Sequence, residues 1–488
     1  MKELQITDLR STIRNYGRRV YGFGYLIAGP RIIEDAYSKA EGRSFTISTP
    51  SNDHVLITSN ALIIELINAP LHSLSLHAVA TEMLQPKYTM SGFEWQEQRG
   101  VEGTGFVRAL RSLLTSHLPY HRVNLENVIS QTLHEELSKV GEDGYTRAKL
   151  FPMIKRIVTK VNCLIFFGED LSRNEEFTAA ALEFPQVVIL TAEFMRITPK
   201  FLRRLTASFI TRRHSSARTL CRFLEPIVSE RLTDRMKGNN LKPVPVDCMQ
   251  WLIDTSPRKN PWSPTRMMGE IMAIWFSSVH QLAMTATYAV EDLCLHEEYV
   301  DPLRQEIQKQ LAEGGELQPD LEGLILLDSF IKESIRCNNV DAISCRRKAL
   351  RDVTLQDGSV VKRGDWVCIP QRAMMHNSSR YANPEVFDGR RFVRANATIL
   401  KGQLTDLIPD KGTSSLTTTS IEWPIWGLGN TACPGRFYAS LVMKMILTQI
   451  LLEWECKMSE SFLPRTMVWR SSVVPREGTV VMFRKRFP

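Results

Sequence analysis

The chain has 488 residues, 43% hydrophobic and 23% charged, which is the balance of a globular protein with room for a large core. Its net charge is +8, but acids and bases are interleaved and no nucleic-acid-binding motif accompanies the charge, which argues against a nucleic-acid partner. Nine scattered cysteines, an odd number with no C-x-x-C pair, argue against a disulfide scaffold and for a reducing compartment.

The first thirty residues contain no signal-peptide core and no apolar run of spanning length, and the longer apolar stretches further on are interrupted by charge, so no transmembrane helix is expected. Residues 45–49 and 54–58, separated by Pro50-Ser-Asn-Asp, predict a β-hairpin, and residues 60–67 a short capped helix. From about 105 to 310 the pattern is helical: apolar residues fall at 106, 107, 110, 113 and 114, and the spacing repeats over 155–167. It returns over 261–295, a span long enough to cross a core, while Pro243-Val-Pro-Val reads as a loop. Arg203, Arg204, Arg212 and Arg213 fall on a predicted helix, either as a solvated face or as a docking surface for an acidic redox partner or an anionic membrane.

From Asp328 the pattern turns mixed. Residues 352–361 predict a hairpin with Asp357-Gly358 at its turn, residues 365–369 a strand, and residues 401–420 a loop. A helix is predicted over about 435–458, with 438, 441, 442, 445 and 446 on its buried face. No linker divides the chain. The expectation is one domain over 1–488, mainly α with a small β lobe: β-rich over about 40–100, helical over about 105–345, β and a cysteine loop over about 346–434, and a final helix and hairpin over 435–488.

The segment with the most chemistry is Trp426-Gly-Leu-Gly-Asn-Thr-Ala-Cys-Pro-Gly-Arg436. A single cysteine stands among Gly427, Gly429 and Gly435 just before a helix. Glycines let a flat ligand approach the backbone, and a helix N-terminus stabilises a thiolate, which is a strong donor to a soft metal. The plain alternative is a structural cysteine beside a glycine turn. Trp426, Gly429, Cys433 and Gly435 occupy four positions of a spacing that resembles the cytochrome P450 haem-binding signature, aromatic-x-x-Gly-x-basic-x-Cys-x-Gly.

Two further segments carry the resemblance. Glu333-Ser-Ile-Arg336 is similar to the family's Glu-x-x-Arg, whose i,i+3 spacing puts both side chains on one helix face. Pro384-Glu-Val-Phe-Asp-Gly-Arg-Arg-Phe392 resembles its aromatic-and-arginine segment, with Arg391 as the third member of a Glu333–Arg336–Arg391 network. Residues 45–69 look like the family's first sheet, residues 472–486 like its final hairpin, and residues 274–282 like the central helix of fungal members.

The resemblance implies a cytochrome P450-like fold with a long helix crossing over haem b, whose iron Cys433 ligates. It implies a fungal secondary-metabolism monooxygenase that inserts one oxygen atom of O2 into a lipophilic small molecule, a terpenoid or meroterpenoid. Electrons would come from NADPH through a reductase partner. The protein would be a monomer, peripheral on the cytosolic side of the endoplasmic reticulum.

The sequence departs from the family at three places. Where small-Gly-x-acid-Thr is usual, it has Ser277-Ser-Val-His-Gln281. His280 relays a proton, as an imidazole titrating near neutrality, and Gln281 holds a water, or both only pack and satisfy a helix kink. Gln281 also leaves room for a thiolate-haem isomerase or dehydratase that does not use O2, while the intact cysteine segment speaks against a non-catalytic haem binder. Thr431 stands two before the cysteine, where a basic partner of a haem propionate is usual. Arg346 resembles another propionate-binding position, or is a surface arginine of the Arg346-Arg-Lys348 run, and Trp95-x-x-x-Arg99 looks like a further propionate motif set in a loop. His376 lies where an aromatic or histidine often precedes the Pro384 segment, with a core contact as the simpler reading. The third departure is at the N-terminus, where fungal relatives usually have a membrane helix and a proline hinge and this sequence opens near the first globular helix: either the sequence is truncated or the protein is peripheral.

Overall fold

The structure is a computed structural model describing residues 22–90, 107, 109–237, 243–257, 259, 261–314, 321, 323–393, 415–459 and 464–486. Trp95, Arg99 and the expected loop over 401–414 lie outside the described residues. The helices that bear on the site are α1 (Gly24–Ala40), α2 (Asn60–Asn68), α3 (Thr115–Glu136), α4 (Leu150–Phe167) and α5 (Glu175–Ile197). They continue with α6 (Arg203–Ile210), α7 (Ser215–Lys237), α8 (Pro264–Leu295), α9 (Ile325–Cys337) and α10 (Arg436–Glu453). The strands are β1 (Phe45–Ser48), β2 (Asp53–Leu56), β3 (Leu74–Ser75), β4 (Thr146–Lys149), β5 (Ser344–Ala349) and β6 (Val353–Thr354). After them come β7 (Val360–Val361), β8 (Trp366–Ile369), β9 (Trp454–Met458), β10 (Thr466–Trp469), β11 (Ser472–Pro475) and β12 (Val480–Lys485). The described residues fall into two compact units, one within 1–79, 328–433 and 462–476, the other within 80–327, 434–461 and 477–488.

The first unit is built on a five-stranded sheet in the order β1-β2-β8-β5-β3. β1 and β2 form the expected hairpin, Phe45 opposite Leu56 and Ser48 opposite Asp53. β8 adds parallel to β2 and antiparallel to β5. α2 covers this sheet because Ser59 caps it, accepting from the Leu62 N–H, and Leu62, Ile63 and Leu66 face Val55, Val367 and Ile369 in one core. The hairpin at Asp357-Gly358 is present as β6 and β7, two residues each, with Gly358 at φ 82°.

The second unit is helical. α8 opens on Ser263, whose hydroxyl accepts from the Arg266 N–H, with Pro264 in the first turn. Its 32 residues span roughly 48 Å. α4 packs along it with all but a few residues buried. Pro185 inside α5 has no N–H to give the Ala181 carbonyl, and the fully buried Trp275 of α8 supplies that donor through its indole N–H at 3.0 Å. α3 follows a π-helical turn over Ala109–Leu114.

Two expectations for the chain end are corrected. The helix stops at Glu453, and Trp454–Met458 is β9, because that stretch pairs antiparallel with β12, Trp454 opposite Lys485 and Met458 opposite Val481. Residues 472–486 are not one hairpin: β11 pairs with β10, whereas β12 is the middle strand of the sheet β4-β12-β9. Arg203 and Arg204 do begin a helix, α6, but Arg212 and Arg213 lie past it in a turn with positive φ.

Candidate active site

The cysteine loop belongs to the first unit. It is built from two 3₁₀ turns, Pro424–Trp426 and Gly429–Thr431. Gly427 at φ 72° separates them; a Cβ there would be strained and would sit 3.2 Å from the Thr431 carbonyl oxygen. The Trp426 indole donates to the Leu416 carbonyl at 2.6 Å, and the Trp426 carbonyl accepts from the Cys433 N–H at 2.6 Å. Leu428 anchors the loop in the core of the five-stranded sheet. Cys433 itself is half-buried, and a Cβ on Gly435 would meet only open space.

Behind the loop, Glu333, Arg336 and Arg391 form one ion-pair network. Arg336 donates Nε and a terminal nitrogen to the two Glu333 oxygens at 2.8 and 2.9 Å, and Arg391 Nε lies 3.1 and 3.0 Å from the same oxygens. The side chains of Glu333 and Arg336 are 0% exposed and that of Arg391 is 13%. Arg391 also donates to the Ala382 carbonyl and Arg336 to the Met375 carbonyl, so residues 375–391 are tied to α9. Lys332, which sequence reasoning missed, is fully buried with its ammonium 4.6 Å over Phe392 and 4.8 Å over Trp423. No local spacing announces it, since the two rings lie 31 positions apart.

The two neighbouring arginines part company at a β-bulge. Cys345 takes φ 48° and the register of β5 against β8 shifts between Ser344 and Arg347. Arg346 is thereby paired with Asp341 and donates to Ser471 at 3.2 Å. Arg347 turns to the cysteine loop and donates to the Thr431 hydroxyl at 2.8 Å. The arginine brought to the loop is Arg347, which the sequence reading did not single out; Arg346 is occupied elsewhere. His376 lies 3.7 Å from Glu34, whose carboxylate also takes the Arg372 Nε at 2.8 Å.

In the second unit, α8 is buried along most of its middle, yet Ser277 and Gln281, one turn apart, are exposed. His280 points elsewhere. It hydrogen-bonds the Pro185 backbone, while its Nε2 is buried without a partner. Burial first, and then the charge of Lys155, push its pKa down to about 4. Lys155 is itself buried, with its ammonium 2.6 Å from Glu477. His280 is therefore neutral at neutral pH, and the expectation that it titrates there is corrected. A surface groove of about 850 Å³ in the first unit, lined by Ile64, Glu65, Ser73, Arg351 and Gln356 among others, contains none of these site residues.

The group that the Cys433 loop would hold is a haem. Among the described residues no cluster of three His, Cys, Asp or Glu side chains forms a metal cage. A lone half-buried cysteine in a glycine loop suits a metal that brings its own four nitrogens. The open space at Gly435 and the guanidinium at Thr431 suit a flat ligand with carboxylates. The residues present fit the group.

Comparison with known proteins agrees. The family described as Cytochrome P450 matches residues 78–483. Cytochrome P450 monooxygenase 151 of Postia placenta is 27% identical over 462 residues, covering 93% of this chain and 88% of that protein. Cytochrome P450 monooxygenase janP of Penicillium janthinellum is 27% identical, covering 94% and 86%. Among solved structures, the retinoic acid-bound cyanobacterial CYP120A1 superposes with a TM-score of 0.68 over 92% of this chain and 94% of its own, at 16% identity, which shows the fold.

Proposed function

The chain belongs to the cytochrome P450 family and is an oxidoreductase of its monooxygenase class, and from that premise we propose that Cys433 ligates the iron of a haem b. The enzyme then inserts one oxygen atom of O2 into a lipophilic small molecule of fungal secondary metabolism, a terpenoid or meroterpenoid, while the second atom leaves as water. NADPH supplies the two electrons through a reductase partner, and the protein acts as a monomer. The observation that carries this reading is the Cys433 loop, whose N–H, glycines and tryptophan are all fixed around one half-buried thiol.

When bound, the haem with a thiolate ligand supplies an electron-rich iron that favours O–O cleavage. The chain's own residues do the rest. The Cys433 N–H bond to Trp426 fixes the direction of the side chain. Arg347, beside Thr431, is the cation for a haem propionate, since Arg346 is already paired with Asp341. Gln281, on the exposed side of α8, orders a water for proton delivery, and neutral His280 holds its turn of the helix against the Pro185 backbone.

The reading extends to a peripheral site on an anionic membrane, the cytosolic face of the endoplasmic reticulum. Ile197, Phe201, Leu205 and Phe209 are 71, 81, 71 and 86% exposed at the end of α5 and through α6. Lys200, Arg203, Arg204, Arg212 and Arg213 are interspersed with them in sequence or follow them. Exposed apolar side chains with cations close by in sequence match the boundary between acyl chains and acidic headgroups. Among the described residues α5 alone is long and apolar enough to span a bilayer, and 44% of its most apolar stretch is buried within the fold.

The deciding experiment is the spectrum of the reduced carbon monoxide complex. The wild type is expected to show the red-shifted Soret band of thiolate ligation, and Cys433→Ala to lose it. A wild-type spectrum without that band sinks the iron-ligand assignment. Turnover without reductant would favour the isomerase or dehydratase reading.

A further inference from the structure

Asn162 is a polar residue in the middle of α4, 0% exposed, that neither the fold nor the site has so far used. Its amide is fully engaged on both sides. The Nδ2 group donates to the Ser278 carbonyl at 3.0 Å and to the Ser278 hydroxyl at 3.3 Å. The Oδ1 atom accepts from the Tyr438 hydroxyl at 2.7 Å. Tyr438 is 5% exposed, in the first turn of α10, five residues after Cys433 in sequence. Ser278 in turn donates its hydroxyl to the Trp275 carbonyl at 2.8 Å.

The Ser278 carbonyl fixes which way the amide faces, because a carbonyl can only accept. With Nδ2 turned to Ser278, Oδ1 is left to accept from the Tyr438 hydroxyl, which holds the amide in place. The Ser278 carbonyl lies inside α8, where the helix gives it a donor of its own. A second donor from outside tilts such a carbonyl away from the helix axis, and a serine back-bonded within its own helix bends it further. Both perturbations fall on the turn from Trp275 to Leu282. That turn carries Ser277 and Gln281, the two exposed residues in the middle of α8, and Ser278 stands where the family usually has glycine.

We infer that Asn162, held by Tyr438, is a positioning residue that sets the Ser277–Gln281 turn of α8. It touches no reacting group. It acts by holding one backbone carbonyl and so the direction of Gln281. The inference rests on the proposed haem-thiolate reading for its functional consequence and on the hydrogen bonds alone for its structural one.

The test uses the full-length holoprotein and four variants. Tyr438→Phe removes one hydroxyl, Asn162→Leu removes three hydrogen bonds at similar volume, Ser278→Ala removes only the hydroxyl, and Arg173→Gln is a surface control. Hydrogen–deuterium exchange is read on the peptide covering 274–284. The dissociation constant of imidazole is read from the Soret shift of the ferric protein, together with its low- to high-spin ratio. Tyr438→Phe and Asn162→Leu are expected to speed exchange in that peptide and to change imidazole affinity by about threefold to tenfold, the range one hydrogen bond commands. Ser278→Ala is expected to fall below about twofold, since the carbonyl bond remains.

Faster exchange with unchanged imidazole affinity and spin state would reduce Asn162 to a packing residue and overturn the inference, as would no change in either. Should Asn162→Leu fail to fold, Tyr438→Phe decides alone. If the wild type lacks the thiolate spectrum, the haem reading fails separately. Exchange localised to 274–284 then still upholds the strut, and unaltered exchange removes it.

Discussion

Replacing Glu333 with glutamine isolates what a buried charge contributes to this fold. The side chain keeps its shape but loses its charge, while Arg336, with a side chain 0% exposed, keeps a guanidinium that has no other acid among its hydrogen-bond partners. Removing one partner of a buried pair costs about 3–5 kcal/mol. At roughly 2.1 cal/mol/K per residue, a 488-residue chain gains about 1 kcal/mol/K of entropy on melting, so the midpoint is expected to fall by about 3–5 °C. The matched control is Glu169→Gln. Glu169 pairs with Arg173 at i,i+4, but their side chains are 54% and 77% exposed, and such pairs contribute less than about 1 kcal/mol. Arg391→Lys should fall between the two, since it keeps a charge near Glu333 but loses the fork that also reaches the Ala382 and Val386 carbonyls. The assay is thermal unfolding by circular dichroism at one fixed scan rate for all variants. Equal midpoints for Glu333→Gln and Glu169→Gln would refute the idea that burial decides the strength of this network.

Three further outcomes are expected. His280 is held near a pKa of about 4 in the native protein against an ordinary 6.5, so unfolded chains take up its proton first as pH falls. The associated stability, on the order of 3 kcal/mol, is complete above pH 6.5 and is lost toward pH 4; the stability difference between wild type and His280→Gln in denaturant titrations should shrink over that window, and a constant difference would count against the assignment. Gly427→Ala forces a Cβ into φ 72° and toward the Thr431 carbonyl, at a cost of about 1–2 kcal/mol, whereas Gly435→Ala at φ −93° should leave denaturation midpoints unchanged. Phe201→Ser with Phe209→Ser should lower co-sedimentation with vesicles rich in phosphatidylserine by at least tenfold, as two exposed rings are withdrawn from the bilayer; undiminished binding would place the membrane contact elsewhere.

Much of this site is readable in the sequence wherever the determinants are local. The spacing of Trp426, Gly429, Cys433 and Gly435 is a loop written in one place, and Glu333 with Arg336 is one helix face. α8 announces itself by Ser263-Pro264 and an unbroken run after it. The failures share a cause, which is pairing with distant chain. Trp454–Met458 suits a helix end or a strand, and only β12 decides. β11 and β12 look like a hairpin because they are neighbours in sequence, yet their partners are β10 on one side and β4 and β9 on the other. Arg346 and Arg347 exchange places because one bulged residue reverses which side chain faces the loop. His280 differs from Gln281 by one step of a helix, enough to turn it from the exposed side to Pro185.

The position of β12 has a consequence for how the protein is made. β12 is the middle strand of its sheet, so β4 and β9 cannot be joined until β12 has been synthesised. β4 leads directly into α4, and roughly 330 residues separate it from its partner. At about 5–20 residues per second, a ribosome needs on the order of 20–70 s to cover that distance. During that interval the edge of β4 stays open beside α4, most of whose side chains are buried in the folded protein. Closure of this sheet therefore waits for β12, and deletion of residues 480–485 would leave β4 and β9 without the strand that joins them and prone to aggregate.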